Sequence, residues 1–322
     1  LHITRTWAAL IAATALLFAA SAPAQEYPER TVRLVVAYPA GGPADIAARI
    51  VAEQVSTRLP HGIIVDNRPG AGGVIGTEVV ANAAPDGYTL LLSGNNIAIA
   101  QALAEAPRYD SVQSFTHIAQ IAALPTGVFV SAASPHATFK DLVAYAKANP
   151  NKLTYASGGN GTPSHLAMEM LKRAAGIDVR HVPYKGTPPA VTDLLGGRVD
   201  MLVTSIAGPM EQVKAGRLKI LAVSSPERLE QLPQVPTIAE SVPGFSFETW
   251  LAISAPRNVP PAVVQKLAGE IERALKDPAL IKRMNDAGLK ASYLPPDKTT
   301  ARMASEQKAF AQVVKDAQIR AE

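Results

Sequence analysis

The 322-residue sequence contains no cysteine. Disulfides, thiolate nucleophiles and cysteine-bound metals are therefore excluded. The six histidines are scattered, with no H-E-x-x-H or comparable ligand spacing, so no metal site and no cofactor is expected. No G-x-S-x-G elbow and no Walker-type lysine loop occurs, which removes the usual sequence marks of a hydrolase or an NTPase. Aromatic residues make up only 5% of the chain, and the net charge of +4 is spread without any lysine/arginine run. That balance argues against nucleic acid as a partner. Beyond residue 24 no apolar run is long enough to span a membrane, and there is no tandem repeat or low-complexity tract.

The first 24 residues read as a targeting segment. His2 and Arg5 form a short basic start, residues 7–20 are almost wholly apolar, and Ala22-Pro-Ala24 has the small-x-small form of a cleavage site. This predicts a secretory signal peptide cleaved after Ala24, and hence export. The alternative is a membrane anchor, but the apolar stretch falls short of the roughly 18–20 residues a span needs.

Two glycine-rich loops stand out against this background. Tyr38-Pro39-Ala40-Gly41-Gly42-Pro43-Ala44-Asp45 follows an apolar strand-like run and precedes a helix-like one. Gly158-Gly159-Asn160-Gly161-Thr162-Pro163-Ser164-His165 does the same far downstream. A strand–glycine loop–helix junction exposes backbone N–H groups at the positive end of a helix dipole. It binds anions without a charged side chain. Each loop also reads as an ordinary tight turn. As a pair they suggest two lobes gripping one anionic molecule.

Strand-like and helix-like segments alternate along the rest of the chain, predicting an α/β fold with largely parallel sheets. Strands are expected at 33–37, 62–67, 88–93, 126–131, 153–157, 179–184, 199–204, 218–224 and 245–255. Helices are expected at 44–59, 74–84, 139–148, 188–195, 260–276, 278–287 and 297–319. The closing helices contain no further glycine-loop unit and are expected to pack on the first lobe. This gives a discontinuous arrangement: lobe 1 from 25–122 and 248–322, lobe 2 from 123–247, with two crossovers as a hinge. Each lobe is Rossmann-like and a ligand cleft lies between them. In such sheets ligands bind at the carboxyl ends of strands, which adds Ser93, Asn95, Thr204 and Ser205 to the candidates.

Individual residues carry open roles. Asp45 would repel an anion, so it caps its helix, accepts a hydrogen bond from a ligand hydroxyl or ammonium, or holds the loop in shape. Thr162 is placed as N-cap, Pro163 as N1 and His165 as N3 of the next helix, with His165 an orienting or packing residue rather than a base. In Val182-Pro183-Tyr184-Lys185-Gly186-Thr187-Pro188, Thr187 can cap a further helix with Pro188 at N1. Lys185 either attracts a carboxylate or is a solvated surface lysine. Gly70-Ala71-Gly72-Gly73-Val74-Ile75-Gly76 imitates a dinucleotide fingerprint. Its spacing is wrong, though, and no strand ends in an acidic residue about twenty positions on, so a structural turn is the better reading.

Together these motifs resemble the Bug family, the periplasmic solute-binding receptors of tripartite tricarboxylate transporters. The resemblance rests on residues 38–45, Asp66-Asn67-Arg68-Pro69-Gly70-Ala71-Gly72-Gly73, Pro85-Asp86-Gly87-Tyr88, 158–166, Val182-Pro183-Tyr184-Lys185-Gly186 and Asp193-Leu194-Leu195-Gly196-Gly197-Arg198-Val199-Asp200. It runs in the family's order from about Tyr27 to the C-terminus. It implies a two-lobed, type II-like periplasmic-binding-protein fold that closes like a Venus flytrap. It also implies capture of a small organic carboxylate (a di- or tricarboxylate, an amino acid or an aromatic acid) and delivery to membrane permease subunits, by a monomeric periplasmic protein. Carried onto this chain, backbone amides and waters of residues 38–45 and 160–165 hold the ligand. Tyr38 stands where many relatives have phenylalanine, and Thr162 where serine is common. The implied protein is not an enzyme. An exported enzyme acting on a small acid, and a sensor partner presenting its ligand to a membrane signalling protein, are the other readings.

Overall fold

In a computed structural model the described residues are 27–319, so the expected signal peptide at 1–24 lies outside them. The chain opens with β1 (Val32–Val36), α1 (Pro43–Ser56), β2 (Ile63–Asn67), α2 (Val74–Ala81), β3 (Thr89–Gly94), α3 (Asn95–Leu103) and β4 (Phe115–Leu124). It passes at Pro125 into β5 (Thr126–Ser131), α4 (Phe139–Ala148), β6 (Thr154–Ser157), α5 (Pro163–Ala175), β7 (Arg180–Pro183), α6 (Thr187–Leu195), β8 (Met201–Ser205), α7 (Met210–Lys214) and β9 (Leu218–Val223). It then returns through β10 (Thr249–Pro256), α8 (Pro261–Leu275), α9 (Pro278–Asp286), β11 (Lys290–Leu294) and α10 (Pro296–Asp316).

The strands form two mixed sheets, ordered β11-β4-β10-β3-β1-β2 and β7-β6-β8-β5-β9. Strand β1 pairs parallel with β2 and β3, and β6 pairs parallel with β7 and β8. The strand that has just crossed over lies antiparallel beside the third strand of its sheet: β10 beside β3, and β5 beside β8. The same arrangement therefore occurs twice, and β3 is the counterpart of β8. The carboxyl ends of β1 and β6 lead into the two glycine loops.

Strand periodicity explains how the two layers share a core. Along β5, Val128 and Val130 join one apolar cluster while Phe129 joins another. Along β3, Leu91 faces the first cluster and Leu90 and Leu92 the opposite face. Successive side chains of a strand point to opposite faces, so each sheet turns one face to helices of its own and the other to a common interior. Trp250 lies at that interior, fully buried.

Some elements depart from the sequence-based expectation. Helix α3 and strand β4 were not anticipated. Phe245 and Phe247 are buried but precede β10, which begins at Thr249. The last helix packs on α3 and β4 and also reaches the other layer, where Asp316 pairs with Arg173 of α5. No helix among the described residues is long and apolar enough to cross a membrane.

Candidate functional site

The first glycine loop is held from beneath by its own helix. Gly41 has φ +82°, a left-handed conformation that favours glycine. Its N–H donates to Asp45 Oδ2 at 2.8 Å, and Arg49 Nε donates to the same oxygen at 2.9 Å. Asn67 Nδ2, at the end of β2, donates to Asp45 Oδ1 at 2.9 Å and to Tyr38 O at 3.1 Å. Burial opposes ionisation of Asp45, but the bonds from Arg49, Gly41 and Asn67 outweigh it and hold its carboxyl below the ordinary range. Of the three roles open to Asp45, the structure therefore shows loop support. It is not the N-cap, which is Gly42. Pro43 has no N–H to lose at N1, and the Ala44 amide in the first turn has no intrahelical acceptor.

The second loop repeats the device with different chemistry. Gly161 has φ +68°, and its N–H donates to His165 Nδ1 at 3.1 Å, four residues on, as Gly41 does to Asp45. An accepting Nδ1 requires a neutral ring, and burial lowers the His165 pKa accordingly. Thr162 is the N-cap and Pro163 opens α5, as the sequence suggests; the Thr162 hydroxyl accepts from His165 N at 3.4 Å and donates to Gly159 O at 2.7 Å. Beneath the loop the His165 and His181 rings stack at 4.0 Å, and Tyr155 stacks on His181 at 4.6 Å. Burial, with His165 and Lys172 adding to it, pushes His181 down to about 3. His181 Nε2 lies 2.7 Å from Ser157 Oγ, which bonds both the N–H and the carbonyl of Gly159.

These bonds correct one expectation. The loops were read as cradles of open amides, but Gly41, Gly158, Gly159, Gly161 and Thr162 all donate within the loops. Such a loop pairs these donors internally instead of offering them to a ligand. It leaves the first-turn amides, such as Ala44 and Ser164, at the helix N-termini.

The remaining candidates divide. Tyr184 and Gly159 come together, because a Cβ on Gly159 would lie 3.0 Å from Tyr184 O, and Gly186 N donates to Gly158 O at 3.1 Å. The Tyr184 hydroxyl, however, donates to Asp193 at 2.8 Å. Thr187 does not cap α6: Gly186, at φ 100°, makes that turn, and the Thr187 hydroxyl lies 3.0 Å from that of Thr204. Lys185 is exposed. Ser93 spends its hydroxyl inside the sheet, 2.6 Å from Ser254 Oγ, which lies 2.8 Å from His117 Nδ1. Asn95 is buried and donates to Glu248 O at 3.0 Å, next to the returning strand. The Tyr38 ring packs on Gly73, and burial raises its hydroxyl to about 12, against a hydrogen bond to Asn96.

The dinucleotide-like glycines have a packing role. A Cβ on Gly76 would come within 2.7 Å of Arg68 O and 2.9 Å of Ala37 Cα, so glycine lets α2 approach the end of β1. Sequence reading did not find Arg49, Asn67, His181 or Tyr155. Arg49 alone was visible, four residues after Asp45 on one helix face.

Two close contacts join the layers, one of them at the second loop. A Cβ on Gly161 would overlap a methyl of Leu103 from α3, and one on Gly288 would lie 2.6 Å from Ala207 Cβ. Each layer thus carries a glycine loop, and the second loop touches α3 of the first layer. Among the described residues no group of His, Asp or Glu is placed to hold a metal.

The fold has counterparts among known proteins. The family described as tripartite tricarboxylate transporter family receptor matches residues 47–318. Protein BugT of Bordetella pertussis is 33% identical over 301 residues, covering 92% of this chain and 92% of BugT. The structure of periplasmic binding protein BugD is similar with a TM-score of 0.74 and 36% identity, covering 92% of this chain and 100% of BugD. R. palustris Rpa4515, solved with adipate, gives a TM-score of 0.78 and 30% identity over 92% of this chain and 99% of that one. MatC from Rhodopseudomonas palustris, with bound malate, gives 0.73 and 29% over 89% and 100%. The fold is thus that of the two-lobed periplasmic binding proteins, and the chain belongs to the tripartite tricarboxylate transporter receptor family.

Proposed function

We propose that this protein is a periplasmic receptor that closes two lobes on a small organic carboxylate and delivers it to the membrane permease subunits of a tripartite tricarboxylate-type transporter. In this reading it is exported, cleaved after Ala24, and acts as a monomer that does not alter its ligand. Lobe 1 comprises 25–122 and 248–322, and lobe 2 comprises 123–247. The observation that carries the proposal is the duplicated loop. Each layer offers a positive-φ glycine pinned by the residue four places on, followed by proline at N1 of a helix. Adipate in one relative and malate in another are ligands of the class that two opposed helix N-termini suit.

The ligand's carboxylates meet the amides of Ala40, Gly42 and Ala44 on one side and Ser164 on the other, with Asn160 and Thr162 beside them. A charge-assisted hydrogen bond contributes about 1.5–3 kcal/mol, and micromolar affinity corresponds to about 8 kcal/mol. Four such bonds reach that range. The ligand touches both lobes only when they are together, which gives it the differential affinity that drives closure.

A thermal-shift screen over mono-, di- and tricarboxylates, amino acids and aromatic acids tests this. A true ligand at about a hundred times its dissociation constant adds roughly 2.7 kcal/mol of stability. A flat response across the panel would refute carboxylate binding.

A further inference from the structure

Four buried side-chain atoms among the described residues have no hydrogen-bond partner: Asn95 Oδ1, Ser205 Oγ, Gln212 Oε1 and Glu270 Oε2. Gln212 and Glu270 lie within helices α7 and α8 rather than at the end of a strand, and Glu270 is already ion-paired through its other oxygen to Arg273 at 2.7 Å. Asn95 and Ser205 are different. Asn95 follows the last residue of β3 and Ser205 is the last residue of β8, the counterpart strands of the two sheets. Each also lies at a crossover. Asn95 Nδ2 donates to Glu248 O at 3.0 Å, one residue before β10 begins, and Ser205 pairs in register with Thr126, just past Pro125.

The orientation of the Asn95 amide is fixed. Glu248 O accepts only, so the Asn95 nitrogen must face it and the oxygen must point elsewhere. The residue is 1% exposed, and a buried acceptor left unpaired is costly. A carboxylate cannot relieve that cost, because it too only accepts. A hydroxyl or an ammonium can. Ser205 Oγ either donates or accepts, so it suits the same kinds of group.

We propose that the ligand is an organic acid bearing a hydroxyl or ammonium group, that Asn95 Oδ1 accepts its proton, and that Ser205 Oγ is a second partner from the other lobe. The loops hold the charge; these two residues select among acids by what lies between the carboxylates. This rests on the carboxylate-binding reading above.

The test is calorimetric titration of the full mature chain with matched acids: succinate, malate and aspartate; glutarate, 2-hydroxyglutarate and glutamate; propionate, lactate and alanine. In the series that fits, the acid with a donor group binds about ten- to a hundredfold tighter than its plain partner. Asn95→Leu, checked for folding by circular dichroism, abolishes that preference while plain-acid binding persists. Ser205→Ala removes a hydroxyl with no protein partner, so it leaves the melting temperature unchanged and weakens only the donor-bearing acid. Binding of plain acids equal to or tighter than their donor-bearing partners in every series overturns this inference and leaves carboxylate capture intact. Binding of none of them overturns both. A preference that survives Asn95→Leu assigns it to another residue and also overturns the inference.

Discussion

Replacing Asp45 by alanine tests whether the first loop is held by its own helix. The carboxylate takes bonds from Gly41 N at 2.8 Å, Arg49 Nε at 2.9 Å and Asn67 Nδ2 at 2.9 Å. The Arg49 side chain is 52% exposed, so its ion pair contributes at most about 1 kcal/mol. The Gly41 and Asn67 bonds run to a charge that is shielded from water and contribute about 1.5–3 kcal/mol each. Asn67 keeps Tyr38 O as a partner in the variant, which places its loss at the lower end. Asp45→Ala is therefore expected to cost about 3 kcal/mol, against less than about 1 kcal/mol for Arg49→Ala. Urea denaturation measures the totals, and amide hydrogen exchange reads the loop itself. The Gly41 amide is protected in the native protein and exchanges freely in Asp45→Ala. Equal costs for the two variants, or an unprotected Gly41 amide in the native protein, would refute the clamp.

Gly161→Val places a β-branched residue at φ +68° and drives a methyl into Leu103. It should destabilise by about 1–3 kcal/mol from the backbone alone and reduce acid binding in titration. Adding Leu103→Ala should relieve the clash but not the backbone strain, so full recovery in the double variant would contradict the assignment. Acid should weaken the fold through His117, which is buried among Ser111, Ser254 and Phe115; burial pushes its pKa from 6.5 down to about 4, against a hydrogen bond to Ser111. A depressed folded-state value means the unfolded chain binds the proton first. The contribution is complete above 6.5 and is lost as the pH falls toward 4, amounting to about 2 kcal/mol by about pH 5. Denaturation curves at about pH 7 and about pH 5 should show at least that loss, because the depressed His181 adds to it, and His117→Gln should remove about 2 kcal/mol of the pH dependence; a variant profile identical to the native one would contradict it.

How much of this was legible in the sequence depended on how local each signal was. Thr162, Pro163 and His165 fall at N-cap, N1 and N3 as read, because a cap is decided within a few residues. Phe139–Ala148 was found whole, bounded by Thr138, whose hydroxyl and backbone form a capping box with Asp141. Strand β4 escaped because it is buried on both faces; its Ala119, Ile121, Ala122 and Ala123 show neither strand alternation nor a helical stripe. Helix α3 starts from Gly94-Asn95-Asn96, which reads as a turn, and it is apolar on most sides because it lies between the first sheet and α10. The site shows the same division. The two glycine loops were visible, while the partner of Asp45 on β2 and the His165–His181 stack are tertiary. So is the spending of the loop amides on the loops' own side chains. The unpaired oxygens of Asn95 and Ser205 acquire meaning only once the paired sheets bring β3 and β8 into equivalent places.

Both glycine loops are proposed to hold one acid. A crystal structure of the mature protein with the best-binding acid from the thermal-shift panel tests it most directly. One carboxylate oxygen is expected within hydrogen-bond distance of the Ala40, Gly42 or Ala44 amides, and a second polar end of the same molecule at the N-terminus of α5 beside Ser164. An acid bound to one lobe alone, or seated away from both helix N-termini, would contradict it.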